Sequence, residues 1–219
     1  MKPKIYKNWN IPEECYQKEK TEKKQITIFN AETGTTTPLQ AYSYMIDRRG
    51  RLHKYFDDDY FGNFLDLTPD DFASKKLPIS LLNHVNIGIA LENFGPLMKY
   101  GGLFFPVCYK DGEAYPDKEK SPVPEDRVFK YEPCAGTGYR GFCAYEKYTE
   151  SQLSTLKTLL VYLQKKHNIP ANYKSDMWFP FICKRALQGE PGIYSYTSFS
   201  SSGTGCFPQR ELIQILKSL

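Results

Sequence analysis

The sequence predicts an α/β fold, a central mixed β-sheet flanked by helices, and three stretches carry that prediction. Ala41 to Ile46 and Arg51 to Phe56 are strand-like runs on either side of Asp47-Arg-Arg-Gly50, a turn ending in glycine, and so read as a β-hairpin. Thr149-Glu-Ser-Gln152 is a capping box that opens a helix with Leu153, Leu156, Leu160 and Leu163 on one face. Lys165-Lys-His167 suits the negative end of its dipole, and Pro170 stops it. Pro208 stands at the start of a last helix over 209–219, where Leu212, Ile213, Leu216 and Leu219 recur at helical spacing.

In chain order, 1–24 mixes both charges with a few aromatics and reads as an N-terminal extension lying over a domain of residues 25–219. Gln25 to Phe29 is rich in β-formers and gives the first core strand, the hairpin follows, and residues 85–91 give a further strand of the sheet. Asp57 to Leu82 reads as loop, and the run Asp57-Asp-Asp59 as a solvated turn, because it lacks the alternating spacing of a calcium loop. Leu103 to Lys110 is another strand. Pro116, Pro122, Pro124 and Pro133 then exclude regular structure from the loop that follows. Gly136-Thr-Gly-Tyr-Arg-Gly141 has the spacing of a dinucleotide loop but leaves a proline-rich loop rather than a strand, and is discounted as one.

Composition narrows the function. The 219 residues carry 29 basic and 25 acidic side chains, a net +4 too balanced for a nucleic-acid partner. No apolar run is long enough to insert in a membrane, and the first 24 residues are too polar for a signal peptide, so the chain is expected to be made in the cytoplasm. Six cysteines without a Cys-x-x-Cys pair are expected to be free buried thiols. His53, His84 and His167 are each assigned to ordinary structural positions, since a zinc site needs three converging ligands.

Several segments in order resemble one family. Tyr44-Met-Ile-Asp-Arg-Arg-Gly50 with Lys54, Ile87-Gly-Ile-Ala-Leu-Glu-Asn-Phe-Gly-Pro-Leu97, Tyr139-Arg-Gly141, Asp176-Met-Trp178, and Lys184 to Ile193 leading into the loop before Leu212 are similar to the N-acetylmuramoyl-L-alanine amidases, most of all phage and Bacteroides-type members. That resemblance covers about residues 25 to 219 and implies an amidase or peptidoglycan-recognition-protein-like fold. It also implies where a zinc site would stand. The first ligand falls on Phe29 or Asn30, a histidine on Tyr196, a lysine on Gly203, an acidic ligand on Gly205, and the general-base glutamate on Ala90. None of these residues is a good zinc ligand. Glu92 points to the same face as Ala90 but about 7 Å further along the strand. Cys206, next to Gly205, is a soft ligand without companions. The resemblance places Tyr44, Glu92, Asn93, Tyr139, Arg140 and Trp178 at a groove.

From these replacements follows the expectation of a pseudoenzyme with no metal, no cofactor and no catalytic residue. Its amidase-like surface would be reused as a structural or partner-binding module, such as a bacteriophage virion component that self-assembles or binds another protein. A non-hydrolytic binder of peptidoglycan fragments and an active amidase with a displaced site are the alternatives. The Tyr196 ring is expected to fill the former zinc position near Asn30 and Ala90, beside a pliable loop from Ser200 to Gly205.

Overall fold

The structure, a computed structural model, describes residues 2–8, 11–31, 41–65, 78–131, 138–171, 173, 182–200 and 205–219. In order these form β1 (Ile5–Asn8), β2 (Tyr16–Gln17), β3 (Gln25–Ala31), β4 (Tyr44–Ile46), β5 (Leu52–Lys54), β6 (Phe61–Gly62), α1 (Ile79–Val85), β7 (Asn86–Glu92), β8 (Pro96–Tyr100), β9 (Leu103–Lys110), β10 (Glu113–Pro116), β11 (Val128–Lys130), β12 (Ala144–Glu146), α2 (Glu150–His167), α3 (Lys184–Leu187), β13 (Gly192–Ser195) and α4 (Arg210–Lys217). No helix among the described residues is long and apolar enough to cross a membrane.

The main sheet has six strands in the order β1-β5-β4-β7-β3-β13 and is mixed: β4 and β5 are antiparallel, and the other neighbours run parallel. The hairpin over 41–56 narrows to β4 and β5 around Asp47, whose carboxylate accepts from the amides of Arg49 and Arg51. Gly50 closes that turn at φ +75, and a Cβ there would lie 2.6 Å from the Ser151 carbonyl oxygen, so both conformation and space require glycine. A second, antiparallel sheet of five strands, β10-β9-β8-β12-β11, extends from β7 through the Gly95 turn, and β2 pairs with β6 alone.

Side chains alternate across the six-stranded sheet. Register places Ile26, Ile28, Ile87, Ile89, Leu91, Tyr44 and Ile46 on one face, and Phe29, Gly88, Ala90, Glu92, Met45 and His53 on the other. Helix α2 packs on the first face. Its capping box forms as its sequence dictates, with Thr149 accepting from the Gln152 amide, and Leu153, Leu156, Leu159, Leu160 and Leu163 are buried. Each such leucine contributes about 1.5–3 kcal/mol of transfer free energy. On the second face Gly88 leaves room for Tyr42 and Phe64, which lie 3.0–3.2 Å from where its Cβ would be.

Three expectations are corrected. The stretch read as loop through Leu82 contains the start of α1, which carries His84 and runs directly into β7; this helix follows Pro78 and has no side-chain cap to announce it. Asp58 is wholly buried, not solvated. Cys143 is disulfide-bonded, its partner lying outside the described residues, while Cys15, Cys108, Cys183 and Cys206 are free and only the last two are buried.

Candidate functional site

At the C-terminal ends of β3 and β13 the chain brings together Phe29, Asn30, Tyr196 and Gly205, with Ala90 in register beside Phe29. Phe29 is buried, its ring stacked on Phe64 at 5.7 Å, edge-on to Tyr42 at 5.2 Å and tilted toward Tyr196 at 6.3 Å. Tyr196 is half-buried in a one-turn 3-10 segment after β13. A Cβ at Gly205 would lie 3.6 Å from the Asn30 amide nitrogen and 3.9 Å from the Cβ atoms of Phe29 and Tyr196, which is ordinary contact. Room for a side chain therefore exists at 205, and the sequence does not use it.

The polar groups here are neutral, and most are partnered. Asn30 Oδ1 accepts from the Tyr148 hydroxyl at 2.7 Å, and that hydroxyl accepts from the Phe207 amide at 3.2 Å. Asn30 Nδ2 is buried with no hydrogen-bond partner among the described residues. An orphaned amide N–H is a donor, the wrong polarity to face a cation. Cys206 is fully buried at φ +63, and burial pushes its thiol well up, against a weaker opposing effect of the Tyr148 hydrogen bond. A thiol held protonated is a poor metal ligand. Phe207 fills the space behind, stacked on Tyr145 at 4.6 Å and Tyr148 at 4.8 Å. These residues do not fit zinc. Gly203 and Trp178 lie outside the described residues.

The groove residues divide between elements. Arg140 donates to the carbonyls of Thr197 at 2.6 Å and Ser200 at 2.9 Å, holding the loop after β13. Tyr139 is buried with its hydroxyl 3.0 Å from Thr197 Oγ1, and burial pushes its phenol up to about 12. Asn93 is buried in the turn after β7, donating to the Glu146 carbonyl and accepting from the Gly95 amide. Glu92 accepts from Arg48, which also grips Glu146 with two nitrogens at 2.9 Å. Tyr44 lies on the α2 face, apart from the others.

There Tyr44 joins a second polar group that the sequence spacing concealed. Asp58 accepts from the Tyr44 hydroxyl at 2.7 Å, Lys54 at 3.1 Å and Lys166 at 2.8 Å, and its carboxylate lies 2.7 Å from His167 Nε2. Burial works to raise this carboxyl, but the bonds from His167, Lys166 and Tyr44 and the charge of Lys54 outweigh it and hold it well below the usual carboxylate range. Asp58, Asp59 and His167 each offer a ligand atom, all within 4.8 Å of one another. Two carboxylates and an imidazole are suitable zinc donors. The Lys166 ammonium lies 2.8 Å from Asp58 and 3.1 Å from Asp59, so it already supplies positive charge between them, and an ion would displace it.

A third feature is a cleft of about 460 Å³ at the hairpin turn, on the face of Ala90 and walled by Met45, Glu92 and His53. His53 is buried, with Nε2 3.2 Å from Asp47 Oδ2.

The N-acetylmuramoyl-L-alanine amidase family matches residues 9–189, and the chain belongs to that family. Among solved structures it is similar to the N-acetylmuramoyl-L-alanine amidase LysC from Clostridium intestinale URNW, at 13% identity and TM-score 0.48 over 99% of this chain and 97% of the other. It is also similar to the endolysine N-acetylmuramoyl-L-alanine amidase LysCS from Clostridium intestinale URNW, at 12% identity and TM-score 0.47 over 99% and 95%. No curated protein sequence matches.

Family membership corrects the expectation of a pseudoenzyme. That expectation equated loss of ligands at the aligned positions with loss of activity, yet residues 9–189 match a family of amidases, and a different donor set exists in Asp58, Asp59 and His167. The sequence missed this set because its members come from a turn and a helix end more than 100 residues apart; the uninterrupted Asp57-Asp-Asp59 run was the one signal available.

Proposed function

We propose that the chain is a peptidoglycan-directed amidase that hydrolyses the amide between the muramoyl lactyl group and L-alanine. The match to the amidase family over residues 9–189 carries the reading. The substrate surface is the rim of the sheet at the strand ends, from the half-buried Tyr196 to the cleft at the hairpin turn that Glu92 lines. Tyr196 offers an aromatic surface to an N-acetyl sugar or a peptide, and the cleft offers charged groups. Arg140, bonded to the Thr197 and Ser200 carbonyls, keeps the loop carrying Tyr196 in place.

No step is assigned to zinc at Phe29, Ala90, Tyr196 or Gly205. Asp58, Asp59 and His167 would hold a divalent ion, which supplies Lewis-acid activation of water when bound, but they lie with Tyr44 at the end of α2 on the opposite face of the sheet, so no step on a substrate at this surface is assigned to that group. For the protein's own chemistry at that group, Asp58 fixes His167 and Lys166 at the end of α2.

The test is incubation of the protein with purified peptidoglycan and measurement of new L-alanine amino termini, with and without added zinc or chelator. Appearance of such termini is the expected result, and their absence in every condition overturns the proposal. Asp59→Ala and His167→Ala locate the ion: a chelator-sensitive activity that both variants lose belongs to that group, and one that both variants retain does not.

A further inference from the structure

The two faces of the five-stranded sheet differ in charge and in cover. Register puts Lys99, Lys110 and Glu113, the charged residues of β8, β9 and β10, on one face, where Leu97 and Phe104 pack with Val123 from the loop after β10. The other face receives no charge from these three strands. Near β11 and β12 it is covered, since the rings of Phe129 and Tyr145 lie 5.4 and 4.6 Å from that of Phe207. Beyond them Met98, Tyr100, Leu103, Phe105, Val107 and Tyr109 continue the same face, and Tyr100, Leu103 and Tyr109 are each more than half exposed. Four of the seven exposed large hydrophobic side chains among the described residues, these three and Tyr115, stand on β8, β9 and β10, so open apolar surface is concentrated here rather than scattered. Apolar surface gathered in this way marks a binding face.

Shape and charge select the occupant. Tyr100 pairs in register with Leu103, and Tyr109 lies six residues further along β9, about 20 Å away. Three strands make the face about 14 Å wide, a footprint of about 300 Å², well under the roughly 800 Å² per partner of a stable protein interface. A second copy of the chain is therefore a poor fit, and a narrow polymer is a good one. Lys118 lies over the Tyr100 ring at 3.6 Å and steadies it. Tyrosine joins an apolar ring to a hydroxyl that stays in water, which suits a sugar that has C–H groups on its ring face and hydroxyls at its edge. The glycan strand of intact peptidoglycan is elongated, and it is uncharged because each lactyl carboxyl is held in the amide to L-alanine. The face also runs back through Tyr145 to Phe207, which follows the loop carrying Tyr196 and Gly205, so a strand lying on it leads to the rim assigned to the substrate.

We propose that this face of the five-stranded sheet is a glycan-binding track that takes an uncharged strand of β-1,4-linked N-acetyl sugars across Tyr100 and Tyr109. The track rests on the peptidoglycan reading above and adds to it a surface for the glycan, separate from the amide that is cleaved. Tyr100 and Tyr109 are binding residues and touch no reacting atom.

The test uses the full chain and two calorimetric probes without stem peptides, the hexamer and the dimer of β-1,4-linked N-acetylglucosamine. The wild-type protein is expected to bind the hexamer more tightly than the dimer, because only the longer probe reaches both tyrosines. Tyr109→Ala should weaken hexamer binding by about tenfold, as loss of a stacked ring does, while Tyr109→Phe, which keeps the ring, should bind nearly as wild type does. Both tyrosines are exposed, so the denaturant midpoint of each variant should match that of the wild type. The track is overturned if the hexamer binds no more tightly than the dimer, or if the double variant Tyr100→Ala, Tyr109→Ala binds the hexamer as wild type does. It is also overturned if sedimentation equilibrium shows a wild-type dimer that the double variant loses, since a second copy then covers the face. Release of L-alanine termini from peptidoglycan separates the two readings. Termini without tyrosine-dependent hexamer binding remove the track alone, hexamer binding without termini removes the amidase reading alone, and absence of both removes both.

Discussion

The strand ends near Tyr196 and the end of α2 near Asp58 handle polarity in opposite ways. At the strand ends Phe29 stacks on Phe64 and Phe207 on Tyr148, and the buried polar atoms of Asn30, Tyr148 and Cys206 are neutral. At the helix end a wholly buried carboxylate is held by two lysines, a histidine and a tyrosine hydroxyl. Shape maintains the first region, and charge balance maintains the second. A charge can be deeply buried where every lone pair is met, while a site whose charged ligands are replaced stays packed only if bulk takes their volume.

The largest effect should come from unbalancing the charged region. Asp58→Ala leaves Lys166, Lys54 and His167 without their common partner and should cost about 3–5 kcal/mol in denaturant unfolding. The folded carboxyl titrates below its unfolded value, so its contribution is present above about pH 4 and is lost as pH falls below that. Unfolding free energy of the wild-type protein should therefore fall through this acid range, and Asp58→Asn should flatten that limb. An unchanged limb would show that Asp58 is not the buried charge described.

The packed region should respond to volume instead. Phe207→Ala removes a fully buried ring and should cost about 3–5 kcal/mol. Tyr196→Ala, at a half-buried ring, should cost about 1–2 kcal/mol. Equal costs for the two would mean that Tyr196 is as much a core residue as Phe207, contrary to its exposure.

What the sequence discloses follows the same division. The hairpin, the capping box of α2, the Ile87 to Leu91 strand and the last helix are local patterns, and the chain forms them close to where those patterns lie. Helix α1 lacks a capping side chain and gave no such signal. The burial of Asp58 is set by Tyr44, Lys54, Lys166 and His167, and no local pattern in Asp57-Asp-Asp59 encodes partners over 100 residues away. The clustering of Phe29, Asn30, Tyr196 and Gly205 was accessible through the family frame alone, because periodicity says nothing of which strand ends meet.

The smallest effect tests whether the strand ends retain a latent metal site. Gly205→Asp introduces a side chain where a Cβ makes ordinary contacts, so stability should change by about 0.5 kcal/mol or less. The variant should gain no zinc at the strand ends by metal analysis, because Phe29, Ala90 and Tyr196 still offer no ligand and a metal site needs its whole first shell. One added zinc per chain in this variant would show that the neutral region is closer to a metal site than its packing indicates.

The central claim, that this chain is a peptidoglycan amidase, is tested most directly by chemical labelling of amino termini in purified peptidoglycan after incubation with the wild-type protein. The account predicts new L-alanine termini that increase with time and protein concentration. No L-alanine termini above the protein-free control, with or without added zinc, would contradict it.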